Sequence, residues 1–147
     1  MRTKIKALGI SVLLVLLSSC QTTGVFLRET PLSISETRRA VVAVVGEPRS
    51  MSQNGREIIS QYYDKKSRNI EKMDIARERL YTRVTILGDR RPYDIQVEVF
   101  IENRDSGGEF IRFDQDNSRA KLIAEKIEKA LHQSRDSRNV IDDFRSF

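Results

Sequence analysis

Cysteine and histidine occur once each in 147 residues, and tryptophan not at all. A single cysteine excludes an internal disulfide and a cysteine-based metal site. A single histidine, His132, excludes the usual histidine clusters. The seven glycines form no glycine-rich phosphate loop, and no segment repeats another. The longest apolar run, Ala7 to Leu17, falls well short of the roughly twenty residues a spanning helix needs. Charge of both signs is plentiful: 26 basic residues stand against 21 acidic ones, a formal net of +5.

That apolar run has a specific setting. Arg2, Lys4 and Lys6 precede it, and Ser18, Ser19 and Cys20 follow it. Basic residues, an apolar core and small residues in that order are a secretion address, to be kept out of fold reasoning. Leu17-Ser18-Ser19-Cys20 resembles a lipobox. The resemblance implies cleavage before Cys20, a diacylglycerol on its sulfur and a third acyl chain on its new amino group. One chain binds a membrane only marginally, at about 0.8 kcal/mol per buried methylene, whereas three hold firmly. In the enteric sorting rule an aspartate after the cysteine retains lipoproteins in the inner membrane. Gln21 at that place resembles an outer-membrane address facing the periplasm.

Without residues 1–19 the chain has 128 residues, the size of one domain. Three basic residues leave with the leader, so 23 basic residues face 21 acidic ones, a net charge of +2. Such a balance gives no reason to expect a nucleic-acid partner. Residues 20–31 are expected to be a lipidated tether, 32–134 a single domain and 135–147 a C-terminal tail. A helix is expected from Ser35 to Val45, capped by Ser33 or Ser35, with Glu36 at its positive end. Gly46 and Pro48 end it. A strand is expected over 56–63, and the charged stretch Asp64 to Arg79 reads as a solvated connection rather than a short helix. Leu80, Thr82, Val84 and Ile86 alternate along one strand, and Tyr93, Ile95, Val97, Val99 and Ile101 along a second. A fourth short strand is expected over 109–113. Ala120, Ile123, Ala124, Ile127 and Leu131 give a closing helix one apolar face, with Asn117 or Ser118 as cap. The fold class expected is α+β, an antiparallel sheet of three to four strands with helices packed on one face.

Residues 33–63 resemble the SmpA/OmlA lipoproteins, the BamE-like family. The residues that carry it are Ser35-Glu36-Thr37, Val41, Gly46-Glu47-Pro48, Gly55 and the pair Tyr62-Tyr63. The resemblance implies a small α+β fold and an outer-membrane lipoprotein that supports the machine inserting β-barrel proteins. The chain departs from the pattern in three ways. It has no tryptophan beside the tyrosines, a longer stretch after them, and a prominent closing helix.

Nucleophilic catalysis needs a base beside a hydroxyl or thiol. His132 instead falls near the expected end of the closing helix, where it can meet the last carbonyls and the negative end of the dipole. Asp114-Gln115-Asp116-Asn117 lacks the glycine and distal glutamate of a calcium loop, and helix capping explains it. No enzyme activity and no cofactor or metal are expected. Tyr81 and Arg83 share a strand face, and Arg90 and Arg91 occupy the tip of the following turn. Arginine pairs well with phosphate and carboxylate groups, so these four residues are the candidate contact with anionic headgroups or an acidic partner. The expected function is a non-enzymatic accessory or scaffold in an envelope complex, with outer-membrane assembly proteins as partners. The alternative is a periplasm-facing lipid- or glycan-binding lipoprotein, which requires a concave apolar pocket between sheet and helices.

Overall fold

The computed structural model describes residues 24–143. The leader, Cys20, Gln21, Phe144 and Phe147 lie outside the described residues. The fold is α+β, built in the order β1 (Val25–Thr30), α1 (Ile34–Val45), β2 (Ser50–Met51), β3 (Glu57–Ile59), β4 (Glu78–Leu87), β5 (Tyr93–Arg104), β6 (Phe110–Gln115) and α2 (Asn117–Asp143). All strand pairings are antiparallel, in the order β1-β5-β4-β3-β2, with β6 also on β5. The long β5 serves both: its first half pairs β1, as in Val97 with Val25, and its second half pairs β6, as in Arg104 with Phe110. Among the described residues the sheet therefore has six strands, not three or four.

The two additional strands are β1 and β2. The segment read as a tether contributes β1, because Val25 and Leu27 pack against the core while Phe26 and Arg28 take the other face. Gly24 leads into it with φ of +96°, and a Cβ there would stand 3.0 Å from the Val97 carbonyl oxygen. Only glycine admits both that torsion and that approach.

Helix α1 begins in a reciprocal cap. The Ser33 hydroxyl accepts the Glu36 backbone N–H, and the Glu36 carboxylate accepts the Ser33 N–H at 2.9 Å. It ends at Gly46, whose φ is +80°. Helix α2 starts one residue earlier than the expected caps: Asp116, not Asn117 or Ser118, accepts the Arg119 backbone N–H at 2.8 Å. It runs unbroken to Asp143. No break falls at 135, and His132 sits in the middle of a helix, away from its last carbonyls. Residues 64–77 form a connection without helix. The Asp64 carboxylate folds it, accepting the backbone N–H groups of Lys66 and Arg68.

Both helices cover one face of the sheet. Ala40, Val41, Ala120, Ala124, Ile127 and Leu131 from the helices meet Leu80, Val84, Ile95, Val97 and Val99 from β4 and β5. Among the described residues no helix is long and apolar enough to cross a membrane.

Candidate functional site

Strand alternation sends every second side chain of β4 and β5 away from the helices. Register then sets those side chains against one another. Arg79 faces Glu102, Tyr81 faces Phe100, and Arg83 faces Glu98. β6 adds Arg112 beside Glu102, and Phe110 beside Arg104. The chain after α1 brings Arg49, and the end of the β3 segment brings Tyr62.

These residues form a lattice of guanidinium groups on aromatic rings. The Arg79 guanidinium lies 3.8 Å from both the Tyr62 and Phe110 ring centroids, and its Nε donates to Glu102 at 2.6 Å. Arg83 lies 4.7 Å from the Phe100 ring and pairs with Glu98 at 2.9 Å. Tyr81 stacks on Phe100 at 5.2 Å and meets Tyr62 edge-on at 5.8 Å. Cation–ring contacts of this kind are worth about 0.5–2 kcal/mol each, more as they lose water.

Arg49 and Arg112 differ from their neighbours. Arg49 lies 4.0 Å from the Tyr62 ring and donates to the Tyr62 hydroxyl at 2.8 Å. Arg112 lies 4.0 Å from the Phe100 ring and donates to the Tyr81 hydroxyl at 2.8 Å. Among the described residues neither has a carboxylate in salt-bridge range. Both are exposed. Their rings and hydroxyls hold them in place while, among the described residues, their remaining N–H donors stay unspent, a donor set that suits a carboxylate or phosphate.

The structure redistributes the residues selected from the sequence. Tyr81 and Arg83 do share a face, opposite Val84 and Ile86. Tyr81 is only 6% exposed, however, and acts as the stacking centre of the lattice rather than as surface. Arg83 is tied to Glu98, itself 3% exposed. Arg90 and Arg91 are exposed at the β4–β5 turn. They stand apart from Tyr81, which lies six residues before the end of β4, roughly 20 Å at a strand's rise. The residues that sequence reasoning missed are Arg49, Tyr62, Arg79, Phe110 and Arg112. The one available signal was the recurrence of arginine next to aromatics in 79–83 and 110–113.

On the edge of this face the Glu29 backbone N–H, and then the Arg28 guanidinium, hold the Asp94 carboxyl below its ordinary range. No protein-family model, curated protein or solved structure matches the chain.

Proposed function

We propose that the protein is a non-enzymatic lipoprotein of the outer membrane, anchored through acylated Cys20 and facing the periplasm. There it is an accessory or scaffold in an envelope complex, with β-barrel assembly as the process that the SmpA/OmlA-like segment suggests. The observation that supports this reading best is the pair Arg49 and Arg112, held on aromatic rings with no carboxylate of their own among the described residues. A rigid, donor-rich sheet face away from the helices suits an acidic surface on a partner protein. The hairpin-tip pair Arg90 and Arg91 is a second, separate contact.

The test is a mild-detergent pulldown of the tagged protein from membranes, with Cys20→Ser as control. Barrel-assembly components are expected with the native protein and not with the control. Arg49→Glu combined with Arg112→Glu is expected to lower their recovery at least tenfold while leaving membrane attachment intact. Undiminished recovery would remove the sheet face from the contact, and Arg90→Glu with Arg91→Glu would then locate it at the turn. A lipidated protein that recovers no partner would overturn the scaffold reading.

A further inference from the structure

The helix side of the molecule holds a cleft of about 430 Å³, on the opposite face of the sheet from the arginine lattice. It lies where α1 ends, α2 begins and the connection after β3 passes over the sheet. Val44, Val45, Leu122 and Ile123 form its apolar wall. Ser60, Tyr63 and Thr82 contribute hydroxyls, and Arg119 and Lys126 contribute cations. The size is that of a small-molecule site, and so is the mixture of apolar wall with a few polar groups.

Three features of the lining select a ligand. Leu122 is 60% exposed on the flank of α2 that also carries Arg119 and Lys126, beside the face of Ala120, Ala124 and Ile127 that turns into the protein. An apolar chain laid in the cleft would cover it. Next, the charges are unequal. Arg119 is engaged three ways, by the Asp116 carboxylate at 3.3 Å, the Ser67 hydroxyl at 3.0 Å and the Lys65 carbonyl at 2.9 Å. Lys126 makes no ion pair among the described residues. One cation is thus left for a ligand. Last, the Tyr63 and Thr82 hydroxyls lie 2.8 Å apart and share one hydrogen bond. Two hydroxyls bring two protons, so one O–H donor is left over for an oxygen of the ligand. The Ser60 hydroxyl is spent, donating to the Gln61 carbonyl and accepting the Thr82 N–H.

We infer that this cleft binds a single-chain anionic amphiphile, a fatty-carboxylate-like molecule. Its chain lies along Val44, Val45, Leu122 and Ile123, and its head pairs with Lys126. The site is independent of how the chain is anchored and of the sheet face that meets a partner.

The test is a titration of residues 20–147 carrying Cys20→Ser, which keeps every element of the fold. Octanoate and uncharged octanol are the probes, read by amide NMR. Octanoate is expected to shift the amides of Val44, Val45, Ser118 and Ile123 saturably, with octanol at least fivefold weaker. Lys126→Glu and Leu122→Asp both alter exposed side chains, so the fold is retained, and each is expected to weaken octanoate about fivefold or more. Val45→Trp, which fills the cleft, is expected to abolish binding. Absence of saturable shifts in the unsubstituted domain would overturn the site, as would binding unchanged in both Lys126→Glu and Leu122→Asp. Equal affinity for octanol would overturn the anionic head.

Discussion

Arg79 is held by three groups at once, the rings of Tyr62 and Phe110 and the Glu102 carboxylate. Its side chain is 17% exposed and that of Glu102 13%, so the pair is largely out of water. Removing one partner of such a pair leaves the other charge without compensation. Arg79→Ala also opens the space between two rings. It is expected to destabilise by about 3 kcal/mol in urea unfolding, and Glu102→Gln by about 2 kcal/mol. Arg79→Lys is expected to restore little, since an ammonium neither stacks nor forks. A loss under about 0.5 kcal/mol for Arg79→Ala would show that the lattice contributes nothing to stability.

Tyr63 gives the residue scale a pH signature. Burial pushes its hydroxyl above the ordinary value near 10, against the Thr82 hydrogen bond, which pulls it down. A folded value above the unfolded one means that the neutral phenol's contribution is complete below about pH 10 and is lost as pH rises through the folded value. Tyr63→Phe is expected to lower stability at pH 7, through the lost Thr82 bond, and to flatten the decline above pH 10 relative to the native protein. Parallel pH–stability curves for the two proteins would contradict this.

At the scale of elements, strands and helices with a strict period were legible and short or shared ones were not. Leu80, Thr82, Val84 and Ile86 are all buried in β4, as their alternation requires. β2 is two residues long, too short for any period to show. β1 was obscured because Val25, Phe26 and Leu27 are consecutive apolar residues. Their division between the two faces appears only once β5 lies beside them. Helix α1 was read nearly to the residue because its cap is local in sequence, Ser33 with Glu36. Ser33→Ala is expected to cost about 1 kcal/mol by denaturant unfolding. An unchanged midpoint would mean that Leu32, buried just before the cap, fixes the helix start by packing alone. The arginine lattice was illegible for the opposite reason. Arg79 and Glu102 are 23 residues apart, and only the register of β4 on β5 makes them neighbours.

At the scale of the whole molecule, β1 changes how far the domain can stand from an anchor. An eleven-residue tether over 21–31 would reach about 40 Å when extended. With Gly24 held against β5, Cys20 lies at most about 14 Å from it along the chain. Gly24 is also close to the arginine face: a Cβ on it would stand 2.7 Å from the Glu98 side chain, which pairs with Arg83. If Cys20 carries the acyl anchor, that face is confined within a short distance of the headgroups, and a partner must meet it at that height. Twelve glycine and serine residues inserted between Cys20 and Gly24 relax the confinement and leave the described residues unaltered. Thermal stability and membrane retention are expected to stay unchanged, while recovery of the partner complex falls severalfold. Recovery equal to that of the native protein would show that height above the bilayer plays no part in the contact. The fusion of the expected tether into the sheet would then serve the fold alone, by covering the β5 edge at Ile95 and Val97.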